Sequence, residues 1–129
     1  MKIYLASRYS RREELCAYRA ELEDYGHTVT SRWLNGNHQV DDRGLSTEAE
    51  QGERVRFAIE DWNDLMAADW CISFTETPRS SNSRGGRHVE FGAALAAGKK
   101  CIVIGPRENV FHCMPTVVVF QSWIDFRHE

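Results

Sequence analysis

Five short apolar runs, the first four separated by stretches of helical periodicity, constrain this chain more than any other feature. Lys2 to Ala6, His27 to Leu34, Asp69 to Phe74, Lys100 to Ile104 and Thr116 to Phe120 each have the length and content of a strand. After the first run, Ser10 and Glu13 match an S-x-x-E capping box. Leu15, Tyr18, Leu22 and Tyr25 then recur at helical spacing, and Gly26 stands where a helix would end on a left-handed residue. After the second run, residues 35–46 read as loop. Thr47 with Glu50 repeats the capping box, and Val55, Ala58, Ile59, Trp62, Leu65 and Met66 mark one face of a second helix. Thr75 to Gly86 reads as a polar loop, Gly86 to Gly98 as an Ala-rich helix, and the tail from Ser122 as a short helix. Strands alternating with helices predict one α/β domain over 1–129, a three-layer sandwich with a five-stranded parallel sheet. Ligands of such sheets sit beyond the carboxyl ends of the strands, where strand order reverses. For the order 2-1-3-4-5 that point lies between the first and third strands, where the loops 7–12 and 75–86 face each other.

Composition removes several classes of function. The longest apolar stretches fall far short of the ~18 residues of a transmembrane helix. The start breaks at Ser7-Arg8, before a signal-peptide core could form. Sixteen basic residues stand against 19 acidic ones, so no excess positive field exists to hold polymeric nucleic acid. Cys16, Cys71, Cys101 and Cys113 are far apart, and Cys71 and Cys101 read as small core residues. With no secretory leader, this usage predicts a cytoplasmic protein. The five histidines are scattered, and no zinc-ligand spacing occurs, which predicts chemistry without a metal.

The loop after the first strand, Ser7-Arg8-Tyr9-Ser10-Arg11-Arg12, has no glycine. That excludes a dinucleotide fingerprint and a Walker loop. It still brings hydroxyls and guanidiniums to a helix start, a combination able to take one phosphate. The second loop, with Ser80, Ser81 and Ser83 before Gly85-Gly86, is small and polar and lets a ligand approach the backbone. Glu90 lies at the start of the Ala-rich helix. A helix dipole there would keep its carboxylate ionised, as a nucleophile at an anomeric carbon needs. The same dipole gives an acidic residue at that place a purely structural use.

Gly86-Arg87-His88-Val89-Glu90-Phe91-Gly92-Ala93-Ala94-Leu95-Ala96-Ala97-Gly98-Lys99 resembles the G-x-x-x-E-x-G-x-A-x-x-x-G-K signature of the nucleoside 2-deoxyribosyltransferase superfamily. Lys2-Ile3-Tyr4-Leu5-Ala6-Ser7 is similar to the first strand of that group, and Ala68-Asp69-Trp70-Cys71-Ile72-Ser73 to its third. The resemblance implies a flavodoxin- or Rossmann-like sheet of order 2-1-3-4-5. It implies Glu90 as nucleophile and Asp61, eight residues before Asp69, as the group handling protons near the leaving base. Glu60 and Asp64 are rivals of Asp61 on the same helix. The transferases of the group carry a further Asp before the nucleophile, where this chain has Ser83 and Arg84. The 5′-monophosphate hydrolases use hydroxyls and backbone amides there. Ser7, Arg12, Ser80, Ser81 and Ser83 suit that second pattern, although the glycines common in the hydrolases' first loop are missing from Tyr9-Ser10-Arg11; Arg8, Tyr9, Gly85 and Gly86 complete the candidate substrate-binding set. Trp33, His38 and Asp42 fall where the group places the base.

The resemblance thus implies an N-glycosidase acting on a nucleoside 5′-monophosphate without a cofactor. A nucleoside 2′-deoxyribosyltransferase is the alternative, and a non-catalytic nucleotide-binding module the third reading. It further implies a homodimer, or a dimer of dimers, in which Asn109 or His112 reaches the neighbouring subunit's site. Val110, Phe111, Met114 and Trp123 are surplus apolar residues suited to such an interface.

Overall fold

The computed structural model describes residues 1–36, 48–78 and 85–128, the side chains of 48–51 excepted. Five parallel strands form one sheet in the order β2-β1-β3-β4-β5: β1 Lys2–Ala6, β2 Thr28–Val29, β3 Trp70–Phe74, β4 Lys100–Ile104 and β5 Val118–Phe120. The helices are α1 Arg12–Asp24, α2 Glu48–Ala67, α3 Gly86–Ala96 and α4 Trp123–Arg127. The fold class expected from the alternation and the strand order implied by the resemblance are both present.

Register assigns each side chain to a face, because residues paired across parallel strands point the same way. Tyr4, Cys71 and Cys101 form one row, on the side of α2 and α3. Trp70, Lys100, Ile72, Ile102 and Val118 lie on the other side. There Tyr18 of α1 stacks on Trp123 of α4 at 4.3 Å and on Phe74 at 5.4 Å. The core is the wholly buried set Ile3, Leu5, Leu15, Leu34, Leu65, Ile72 and Val103, with Tyr4 and Phe74 the largest members. Cys71 and Cys101 are buried free thiols, as expected.

Several local expectations are corrected. The second strand is two residues long rather than eight. Beyond Val29 the chain leaves the ladder because side chains replace it: Leu5 N–H donates to Ser31 Oγ at 2.7 Å, and Trp33 Nε1–H donates to the Leu5 carbonyl at 2.8 Å. Residues Arg32–Asn35 then form a 3₁₀ turn. Ser10 does not cap α1; it lies in a 3₁₀ turn, Tyr9–Arg11, that runs into the helix. Gly26 does end α1 (φ +92°), with His27 N–H bonded to the Leu22 carbonyl. Tyr25, expected on the buried face, is exposed. The α2 face is rotated: Phe57, Asp64 and Leu65 are buried, whereas Val55, Ile59 and Trp62 are 51–59% exposed. Trp123, expected at an interface, is core. The Thr47–Glu50 box falls outside the described residues.

Two close approaches fix the two ends of β4. Gly105 (φ +119°) follows β4, and a Cβ there would stand 2.5 Å from Thr75 Oγ1. The missing side chain lets Thr75 donate its hydroxyl to the Pro106 carbonyl at 2.6 Å and its N–H to Ile104 at 3.0 Å. Lys99, the last residue of the quoted signature, donates its ammonium to the Met66 and Ala68 carbonyls at 3.0 and 2.6 Å. It thereby satisfies carbonyls left over at the end of α2 and ties α2 to the start of β4.

Candidate active site

β1 carries Tyr4 into the core beneath α3. Its hydroxyl donates a hydrogen bond to Glu90 Oε2, the only partner the structure gives that hydroxyl among the described residues. Burial, then the charges of Glu90 and Asp61, push the Tyr4 phenol well above its ordinary pKa, so it stays a donor. Glu90 is the fifth residue of α3, and no acidic residue lies in the first turn. The expectation of a carboxylate held ionised by the helix dipole is therefore overturned. Burial pushes the Glu90 carboxyl up to about 8, against the Tyr4 hydrogen bond, which lowers it; the charge of Asp61 raises it further. At neutral pH the resting carboxyl carries its proton.

Asp61, half-buried on α2, is close enough to act electrostatically on both Tyr4 and Glu90. Its rival Asp64 is committed elsewhere. It is buried, accepts from Arg32 N–H and Nε–H at 2.9 Å each, and so holds the turn after β2. The structure thus brings Tyr4, Asp61 and Glu90 together on the α2–α3 side of the sheet.

The loop after β1 is spent largely on its neighbours. Arg11, which the sequence did not single out, crosses the crevice. It donates to the Thr75 carbonyl at 3.1 Å and to Glu76 at 2.9 Å, and pairs with Glu14 at 2.7 Å. Arg8 also faces Glu76, at 3.5 Å, and the Ser7 hydroxyl donates to the Arg8 carbonyl. Arg12 donates to the Leu34 carbonyl at 2.9 Å and pairs with no carboxylate among the described residues. Tyr9 lies beside Trp33, at 6.1 Å between ring centroids, and near Arg12 at Gly36. Trp33 itself is buried and its indole N–H donates to the Leu5 carbonyl.

At the start of α3, Gly85 takes the left-handed cap position (φ +86°) and Gly86 is the first helical residue. Ser80, Ser81 and Ser83 lie outside the described residues, as do His38 and Asp42. Arg87 is buried in the first turn, where a cation opposes the helix dipole, and it is matched by Glu108 at 2.6 Å. Glu108 also accepts the Glu76 N–H at 3.1 Å, so one carboxylate joins the loop after β3, the loop after β4 and α3. Sequence reasoning missed this pair. The available signal was a basic residue in a first helical turn, which calls for a buried acidic partner. His112 is fully buried and turned toward its own chain: Nδ1 accepts the Glu108 N–H at 2.9 Å, and the ring meets Phe91 edge-on at 5.0 Å. Asn109 uses Oδ1 to cap the 3₁₀ turn Val110–Cys113, accepting from Phe111 N–H. Burial lowers the pKa of both His88 and His112, and Arg87 and His88 respectively add to it. Among the described residues no cluster of His, Cys, Asp and Glu could hold a metal ion, and no helix is long and apolar enough to cross a membrane.

No family model matches the chain, and no curated protein matches its sequence. Solved structures do match. A 2-deoxyribosyltransferase from Bacillus psychrosaccharolyticus is 22% identical, aligns over 100% of this chain and 92% of its own, and has a TM-score of 0.74. The CMP N-glycosidase BcmB of Clostridium botulinum is 18% identical over 99% of this chain and 96% of its own, with a TM-score of 0.60. A conserved protein from Enterococcus faecalis is 19% identical over 81% of this chain and 62% of its own, with a TM-score of 0.53. The fold implied by the resemblance is therefore the fold observed: this chain is built like a 2-deoxyribosyltransferase and a CMP N-glycosidase.

Proposed function

We propose that this protein is an N-glycosidase that cleaves the base–sugar bond of a nucleoside 5′-monophosphate. The observation that carries the reading is the Tyr4–Glu90–Asp61 constellation at the switch point of the sheet. A deprotonated Glu90 Oε attacks C1′ as the N-glycosidic bond breaks, and that bond's electron pair leaves on the base nitrogen. Asp61 relays a proton from solvent to the departing base and then takes up the proton released by the incoming water. Water then cleaves the glycosyl ester at C1′, returning the Glu90 carboxylate and a free sugar phosphate. Tyr4 holds the second carboxylate oxygen and stabilises the ionised form that the attack requires. For the phosphate, support comes from Arg12, which no described carboxylate neutralises, and from the Gly85–Gly86 opening of α3.

The transferase reading has support of its own in the TM-score of 0.74 to a 2-deoxyribosyltransferase. There a second base takes the place of water at the ester. Release of free base from a panel of nucleoside 5′-monophosphates and nucleosides, with and without a second base, separates the two. The proposal expects the monophosphate to exceed its nucleoside at least tenfold in kcat/KM, about 1.4 kcal/mol, and no exchanged nucleoside to form. Exchange products, with equal rates on both substrates, would establish the transferase. Binding of nucleotide without turnover would leave only a binding module. We further propose a homodimer. Val110 and Phe111, 75% and 60% exposed, and the Val55–Ile59–Trp62 stripe supply apolar surface for it. Light scattering giving a mass near 14.9 kDa would refute the dimer.

A further inference from the structure

A cavity lies on the face of the sheet away from Glu90, beside the first residues of β3 and β4. Its volume is about 520 Å³, within the size range of small-molecule sites. Trp70 and Lys100, the first residues of β3 and β4, are register partners there, and the Lys100 ammonium stands 4.5 Å from the centre of the Trp70 ring. Lys100 has no carboxylate partner among the described residues. Trp123 is the buried floor and Tyr25, 75% exposed, a free aromatic wall. At the rim Arg127 pairs with Glu21 at 2.6 Å, so two cations face one carboxylate across the mouth.

We infer that this cavity is a binding site for a small planar aromatic molecule carrying one anionic group. The ring would lie among Tyr25, Trp70 and Trp123, and the anion on Lys100. The charge balance selects an anion: among the described residues the lining holds Lys100 and Arg127 against Glu21 alone, and Arg127 takes Glu21. The aromatic faces select a flat partner, since stacked and edge-on ring contacts add to simple burial. A neutral aromatic would leave the ammonium unmatched, and an aliphatic acid would leave the rings uncovered. The site shares no residue with the Tyr4–Glu90–Asp61 group, so the inference stands apart from the proposed reaction.

The test uses the whole chain with two probes of one shape, naphthalene-1-sulfonate and neutral naphthalene-1-methanol. Backbone and indole ¹H–¹⁵N shifts locate each probe, and titration gives its Kd. The sulfonate is expected to saturate, moving the Trp70 and Trp123 indole signals and the amides of Val118 and Phe120. It should bind at least fivefold tighter than the alcohol. Lys100→Gln should erase that preference while leaving the alcohol within twofold, with the spectrum otherwise native. Glu90→Gln should change neither affinity. Equal binding of the two probes, an unchanged preference in Lys100→Gln, or shifts confined to the start of α3 would each overturn the inference. So would light scattering showing that the probe dissociates an oligomer, because a second copy would then be the natural occupant.

Discussion

Replacing Tyr4 by Phe isolates the one hydrogen bond on which the proposed nucleophile depends. The ring stays in the core, where Tyr4 is fully buried, so packing is conserved and only the hydroxyl is lost. In the native protein that hydroxyl donates to Glu90 Oε2 and works against the burial that raises the carboxyl to about 8. A hydrogen bond to a charged group contributes roughly 1.5–3 kcal/mol, and 1.36 kcal/mol corresponds to about one pKa unit. The variant should therefore hold the Glu90 proton more tightly by about one to two units. The sign follows from which form reacts. Attack needs the carboxylate, so kcat/KM rises with pH through the Glu90 pKa, and a higher pKa moves that rise to more alkaline pH. At pH 7 the loss in kcat/KM is expected to be about tenfold to a hundredfold. Much of it should be recovered in the alkaline plateau. The assay is release of free base across pH 6–10, by absorbance or chromatography, for the native protein and Tyr4→Phe. An unmoved alkaline limb would refute the role of Tyr4. A native profile already flat between pH 6 and 9 would refute the buried, protonated Glu90 itself.

The raised Glu90 pKa also makes a stability prediction. A carboxyl whose folded pKa exceeds its unfolded value stabilises the fold below the unfolded pKa, and that contribution is lost as pH rises toward about 8. Thermal melts should show the native protein losing stability relative to Glu90→Gln between roughly pH 4.5 and 8, and parallel curves would refute the shift. Gly105→Ala should cost about 2–4 kcal/mol, from positive φ and from the clash with Thr75; urea unfolding with a cost below about 0.5 kcal/mol would show that Thr75 moves freely. Arg87→Met leaves the half-buried Glu108 carboxylate without its cation, and denaturant melts should record a loss near 3 kcal/mol. Arg87→Met combined with Glu108→Gln should recover part of that loss, and a double variant no better than the single would contradict the pair.

The sheet was legible because its strands are nearly continuous apolar runs, and a parallel sheet buried on both faces demands that pattern. β4 fits its run from Lys100 to Ile104 residue for residue. Where reading failed, side chains had replaced backbone. The run from His27 to Leu34 has the composition of a strand, but Ser31 and Trp33 satisfy Leu5 through their own hydrogen-bonding atoms, which no periodicity records. The rotated α2 face has a similar cause. Its apolar stripe Val55–Ile59–Trp62 is as regular as a core face, and Asp64 takes the inward position because Arg32 meets it there. At the candidate site the signature located Glu90, but its electrostatics were invisible. Position in a helix suggests a dipole, whereas enclosure and the nearness of Tyr4 and Asp61 decide the proton. Arg11 and Glu108 were missed for the same reason: their partners lie 65 and 21 residues away.

The brevity of the outer strands has a bearing on solubility. β2 offers two residues at one margin of the sheet and β5 three at the other. A margin with unpaired N–H and carbonyl groups is a template on which a foreign strand can grow, and the hazard increases with its length and flatness. Past Val29, Leu5 N–H and its carbonyl are already taken by the Ser31 hydroxyl and the Trp33 indole, and an incoming strand would have to displace both. Ser31 and Trp33 thus act as stoppers against edge-to-edge aggregation. Their loss would expose the first strand of the fold, an apolar run fully buried from Ile3 to Ala6, to pairing between molecules.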